Sequence, residues 1–228
     1  MSDIKKNYKK VVSKYWQKTD SKINASVPNE TLIRLIGNLK FSYKRKKVLD
    51  VGIGDGANLI EFKKRGSSIF GIDIRKKKIL YFCKKNHLPR KNFYVSDLNY
   101  NFPKIKKNFD LIVCKDTFYY LDYNRHLPFL KFCKKILNKK GYFILQFIQA
   151  ELKEKKKKKL FDYSLSKNFK KETKYHERNN PINILTRGYI NNLIQSSKFK
   201  LKVNIFDVST HLKDKKFVTI NRYLVLSN

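Results

Sequence analysis

A chain of 228 residues with 53 lysines and arginines against 18 acidic residues is long enough for one substantial domain. Its net charge of +35 is spread so evenly that no run of 18 apolar residues occurs, and no membrane span is expected. The charge is mostly lysine, 44 against 9 arginines, beside 21 asparagines, 21 isoleucines and only three alanines, the skew of an AT-rich coding sequence. Arginine, which makes the bidentate contacts to bases and phosphates, is the rare cation here. Nucleic acid is therefore the second choice of partner behind a small molecule, although weak attraction to polyanions follows from the charge. The first ten residues, MSDIKKNYKK, lack the apolar core of a secretory signal, so a cytoplasmic location is expected. Cys83, Cys114 and Cys133 are odd in number and have no metal-ligand spacing, which predicts reduced, buried thiols and no metal.

Ile4, Tyr8, Val11, Val12, Tyr15 and Trp16 recur at helical spacing and predict an amphipathic amino-terminal helix. A second helix is predicted over 29–39. The period then changes. KVLDVG reads as a buried strand, 57–65 as a helix closed by Gly66, and SIFGID as a second strand. Helix 76–86 carries Ile79, Leu80, Phe82 and Cys83, and NFYVSD is a third strand. FDLIVC follows as a fourth strand, 125–137 as a helix, and KKGYFILQFI as a turn and fifth strand. Strand and helix alternating in this way predict a mostly parallel sheet covered on both faces, a three-layer Rossmann-like α/β sandwich. The pattern breaks at Ala150 with the lysine-rich ELKEKKKKKL and a polar, aromatic-dotted segment, read as a cap-like insertion over 151–185. TRGYINNLIQSS returns to helix. KLKVNIFDV and FVTINRYLVLS then follow as the sixth and seventh strands, and the short STHLKDKK between them permits only an antiparallel pair.

The stretch VLDVGIGDGANL places three of the eight glycines within five residues, between a strand and a helix. Such a loop turns backbone N–H groups and a positive helix end towards a ligand, with no Cβ in the way. As G-x-G-x-x-A, with Gly52, Gly54 and Ala57, it suits a dinucleotide; as D-x-G-x-G-x-G, with Asp50, Gly52, Gly54 and Gly56, it suits S-adenosylmethionine. Asp50 at the strand end would repel a pyrophosphate and attract an amino group. Asp73, ending the second strand, can accept from ribose hydroxyls in either case. Asp97, after the third strand, can accept from an adenine amino group.

VLDVGIGDG, GIDI, VSDL, FDLIVCKDTFYYL and LNKKGYFIL stand in one order from about Lys46 onward, and there the chain resembles the class I S-adenosylmethionine-dependent methyltransferases of broad small-molecule type. The resemblance implies that fold, with a mostly parallel seven-stranded sheet and an antiparallel carboxy-terminal pair. It implies that Gly52, Gly54 and Gly56 line the methionine end of the cofactor and that Asp50 holds its amino group. Asp73 would bind the ribose, Ile74 lie against the adenine, Asp97 take its amino group and Leu98 flank the ring. Cys114 and Lys115 would border the sulfonium. Many relatives carry a Glu-His pair where this chain has Tyr119 and Tyr120, so a histidine base there is not carried over. Lys140–Gly141 replaces the usual Pro-Gly turn.

Methyl transfer from a sulfonium is an in-line displacement, in which alignment matters most and a base only when the acceptor sheds a proton. Asp116, Tyr119, Tyr120 and His126 follow the fourth strand and are the candidate catalytic groups; His176 lies in the insertion. Phe161, Tyr163, Phe169 and Tyr175 either cover a substrate or pack a loop. Residues 1–45 are read as a helical lid or arm, in which Tyr15 and Trp16 either cross the cofactor or pack the helix on the sheet. Residues 46–228 are read as the catalytic domain. The acceptor is expected to be a small metabolite, such as a sugar, a quinone or another biosynthetic intermediate, methylated on O, N or C. An RNA methyltransferase, a non-catalytic binding protein of the same fold and an NAD(P) oxidoreductase are the alternatives.

Overall fold

The computed structural model describes residues 2–18, 27–152, 183, 185–208 and 217–228. Helices α1 (Ser2–Lys18) and α2 (Glu30–Asn38) precede strand β1 (Lys47–Val51). Then come α3 (Ala57–Lys64), β2 (Ser68–Asp73), α4 (Lys76–Lys85), β3 (Phe93–Val95) and β4 (Phe109–Cys114). A 3-10 turn at Phe118–Tyr120 leads into α5 (Tyr123–Ile136) and β5 (Leu137–Leu152). The two-residue β6 (Leu185–Thr186), α6 (Arg187–Ser197), β7 (Lys200–Val208) and β8 (Phe217–Ser227) complete the order.

The strands line up as β3-β2-β1-β4-β5-β8-β7, with β6 paired to β5 off this path. From β3 to β5 all neighbours are parallel, whereas β8 runs antiparallel to both β5 and β7. The expected seven-stranded path is present, with β6 as an eighth, short strand where the expected insertion ends at 185 and the expected helix begins at 186. Strand β5 also runs to Leu152, past the expected break at Ala150, because it pairs with β8 as far as Leu152↔Phe217. The aromatic residues 161, 163, 169 and 175, and His176, lie outside the described residues, as does the 209–216 link.

Alternation along the buried strands splits the core into two halves. Leu49, Val51, Ile112 and Cys114 face one side with Phe129, Phe143 and the α5 and α6 residues. Val48, Leu111, Val113 and Ile144 face the other, under Leu32 and Ile36 of α2, Leu59 and Phe62 of α3, and Ile79 and Phe82 of α4. Both faces being apolar is what a parallel sheet between helices requires. Phe62 is fully buried, and truncating it to alanine would cost about 3–5 kcal/mol and loosen α3 on the sheet. No helix among the described residues is long and apolar enough to cross a membrane.

The strand order reverses between β1 and β4. Chains leaving the carboxyl ends of these neighbours diverge to opposite sides and leave a crevice between them. That crevice is the candidate site.

Candidate functional site

A cavity of about 670 Å³ opens at the carboxyl ends of β1, β2, β3 and β4, a size suited to a cofactor-sized ligand. The loop after β1 forms its floor. Gly52, Gly54 and Gly56 have φ of 82°, 54° and 81°, so the chain turns through left-handed conformations that side chains resist. A Cβ on Gly52 would overlap the Thr117 hydroxyl, whereas one on Gly54 would project into open space. The loop is also tied down from β2: Gly52 N donates to the Ile72 carbonyl at 2.7 Å and Gly54 N to Asp73 Oδ2 at 3.1 Å.

Three carboxylates stand at the strand ends. Asp50 lines the cavity yet is only 2% exposed. Burial pushes its carboxyl up to about 7; Lys115 pulls the other way, while Asp73 and Asp116 add to the rise. Asp73 is held in place by Arg75, whose Nε and Nη2 donate to Oδ1 and Oδ2 at 3.0 and 3.1 Å. Asp97 accepts from the Asn99 backbone at 3.0 Å and from the Ser13 hydroxyl of α1. Ile74 and Leu98 line the cavity beside the last two.

Helix α1 forms part of the wall. Val12 and Trp16 line the cavity, and the Trp16 ring meets Tyr120 edge-on at 5.1 Å and covers Arg75 at 5.4 Å. Tyr8 donates from its hydroxyl to the Tyr119 carbonyl at 3.3 Å, and Asn183 donates to the Tyr8 hydroxyl at 3.1 Å. The apolar side of this amphipathic helix thus faces the cavity rim and the Phe118–Tyr120 turn.

On the β4 side, Lys115, Asp116, Thr117 and Tyr120 complete the lining. Asp116 has φ of 53°, which turns it out of the strand's alternation. Its backbone N–H donates to Gln146 Oε1 at 2.7 Å, and its carboxylate accepts from the Tyr119 hydroxyl at 3.1 Å and pairs with Lys115.

The structure brings Asp50, Gly52, Gly54, Gly56, Asp73, Ile74, Asp97, Leu98, Asp116 and Tyr120 to one cavity. It keeps three of the sequence candidates off the lining. Cys114 is fully buried on the core side of β4, where burial raises its thiol well above the ordinary value. Tyr119 is buried and touches the lining through its hydroxyl on Asp116 and its ring against Tyr120 at 4.6 Å. His126 is fully buried on the inner face of α5, its ring 4.4 Å from Phe118 and its Nδ1 3.0 Å from the Tyr189 hydroxyl. Burial pushes its imidazole down to about 3, so it stays neutral at ordinary pH. Ser13, Arg75, Thr117 and Gln146 were not foreseen. Arg75 had a weak signal, as a cation at the start of α4 where a capping side chain is usual; Ser13 and Gln146 had none.

The sequence matches a family model described as a methyltransferase domain over residues 15–201. None of the curated proteins matches it. Among solved structures, it is similar to magnesium protoporphyrin IX methyltransferase from Synechocystis PCC 6803 with bound SAH. The TM-score is 0.63 at 15% identity, over 97% of this chain and 100% of that one. An S-adenosylmethionine-dependent methyltransferase from Clostridium acetobutylicum ATCC 824 gives 0.58 at 12% identity, covering 95% of this chain and 92% of the other. The glycopeptide N-methyltransferase MtfA complexed with sinefungin gives 0.55 at 13%, with 89% of each covered. At these identities the structures speak for a shared fold.

Proposed function

Because the chain belongs to the methyltransferase domain family and is an S-adenosylmethionine-dependent enzyme, we propose that it methylates an O, N or C atom of a small metabolite, such as a sugar or another biosynthetic intermediate. The observation that carries this reading is the narrowing of the cavity between two walls. Val12 and Trp16 of α1 narrow it from one side, and Lys115, Asp116 and Tyr120 form the opposite wall. Room of this kind suits a small acceptor beside a cofactor better than a polymer. The similar enzymes that act on magnesium protoporphyrin IX and on a glycopeptide support the same reading.

The residues present fit the cofactor. Gly54 offers open space where any other residue would place a Cβ, and Asp50 is a cavity-lining carboxylate that burial leaves in want of a cation. In this reading Asp50 holds the amino group, Asp73 the ribose and Asp97 the adenine amino group. Ile74 and Leu98 lie along the ring, and Gly52, Gly54 and Gly56 let the backbone pass close to the methionine end. The cofactor supplies an electrophilic methyl group on a sulfonium. The protein's own work is alignment, which is worth several powers of ten. Asp116, with its side chain 52% exposed, is the carboxylate placed to take a proton from an acceptor that must lose one. Tyr119 orients that carboxylate, and Tyr120 packs the acceptor wall. His126 and Cys114 are packing groups.

Incubation with methyl-labelled S-adenosylmethionine and a metabolite extract should put the label into a small, dialysable product. Label found only in the RNA fraction would overturn the small-acceptor reading. One observation favours RNA: a cleft of about 500 Å³ at the opposite end of the sheet, lined by Arg45, Lys46, Lys47, Lys106 and Lys107 around a single acidic residue, Asp110. If that cleft serves an RNA acceptor, affinity should fall steeply with salt yet retain a preference for sequence or structure.

A further inference from the structure

A carboxylate has about four acceptor positions on its two oxygens. On Asp73 the protein's own donors occupy four. Oδ1 accepts from the Arg75 backbone N–H at 2.9 Å and from Arg75 Nε at 3.0 Å. Oδ2 accepts from Gly54 N at 3.1 Å and from Arg75 Nη2 at 3.1 Å. A ribose diol arriving at this strand end therefore meets an arginine–aspartate pair and not a lone carboxylate.

Arg75 is itself placed as a binding group. It lines the cavity, is 9% exposed and has one face of its guanidinium covered by the Trp16 ring. The fork spends two of its five N–H donors on Asp73, which leaves three. Its position is not explained by local helix chemistry. Arg75 is the N-cap residue of α4, makes no side-chain capping bond, and is followed by Lys76, Lys77 and Lys78. Cations at a helix amino terminus oppose the helix dipole. Asp73 compensates by accepting the Arg75 N–H, so the pair is a single built unit.

We propose that Arg75 is a ribose-binding residue: the guanidinium donors not engaged by Asp73 are offered to the oxygens of the cofactor's ribose hydroxyls, while Asp73, its acceptor positions filled, holds the fork in place. Each hydroxyl oxygen can accept, and the fork keeps three N–H donors for the two of them. This rests on the reading that the cavity takes S-adenosylmethionine.

The test is binding of S-adenosylhomocysteine and its 2′-deoxy and 3′-deoxy analogues to the full chain and to Arg75→Met, by calorimetry. Trp16, the only tryptophan, gives a second readout through its fluorescence. The wild-type chain should lose about tenfold in affinity on losing a ribose hydroxyl, as for a hydrogen bond to a charged group. In Arg75→Met the parent ligand should bind at least tenfold more weakly, and the deoxy penalty should shrink to about twofold. Equal weakening of all three ligands would overturn the proposal and leave Arg75 as a support for Asp73 alone. If the methionine variant does not fold, Arg75→Lys keeps the charge and stem without the fork, and its loss should again be smaller for the deoxy analogues. Failure of the wild-type chain to bind S-adenosylhomocysteine at all would bring down the cofactor reading and the proposal with it.

Discussion

Replacing Asp50 by asparagine should make the ligand-free protein more stable and the cofactor site weaker. Asp50 is buried at the end of β1, and its carboxyl is raised from 3.8 to about 7, chiefly by loss of water. A folded value above the unfolded one means that the unfolded chain binds fewer protons between those limits. Stability from this group is thus complete below pH 3.8 and is lost as pH rises through about 7. At 1.36 kcal/mol per pKa unit, the burden near pH 8 is about 4 kcal/mol. Asparagine has nearly the same shape and never ionises. The variant should therefore gain up to about 4 kcal/mol over the wild type at pH 8 and close to nothing at pH 4, an increase of roughly 8–16 °C in Tm for a chain of this size. Its affinity for S-adenosylhomocysteine should fall about 10- to 100-fold, because a charge-assisted contact to the amino group is gone. Thermal unfolding by circular dichroism from pH 4 to 8.5, with calorimetry on the same samples, measures both. A variant whose stability tracks the wild type across that range would refute the burial argument. Unchanged ligand affinity would refute the role given to Asp50.

Gly52→Ala should abolish cofactor binding, since φ of 82° and the Thr117 side chain both oppose a methyl group there; a calorimetric titration checks it. Asp116→Asn should lower kcat at least 100-fold for an acceptor that must lose a proton, and leave S-adenosylhomocysteine affinity within about twofold. His126→Phe should leave turnover intact. Its imidazole is lowered from 6.5 to about 3 in the fold, so the wild type loses stability as pH falls through that window, and the variant should resist acid unfolding better in urea melts at pH 4–6.

The strands and the glycine loop were legible because their signals are local. SIFGID, FDLIVC, KLKVNIFDV and FVTINRYLVLS match β2, β4, β7 and β8 to the residue, the first two being mostly apolar runs and the last two apolar residues interspersed with polar ones. Asp50, Asp73 and Asp97 line the cavity, each lying at or just past the carboxyl end of a strand. His126 shows where counting along the chain misleads. It follows β4 closely, but His126, Phe129, Leu130 and Cys133 share one face of α5 at i, i+3, i+4 and i+7, the core face. That pattern was readable, and it outranks proximity in sequence. Cys114 was likewise carried to the core by strand alternation, while the positive φ of Asp116 broke the alternation and brought it to the cavity. No local pattern announces the Asp73–Arg75 fork, the Ser13 bond to Asp97 or the Gln146 bond to Asp116. These pair residues from separate elements, or rely on a rotamer that tertiary packing selects.

A crystal structure of the full chain with S-adenosylhomocysteine tests the account most directly. The account predicts the ligand in the crevice between β1 and β4, its amino group at Asp50, its ribose at Asp73 and Arg75, and its adenine between Ile74 and Leu98 with the amino group at Asp97. A ligand seated elsewhere, or with its adenosine turned away from Asp73 and Asp97, would contradict it.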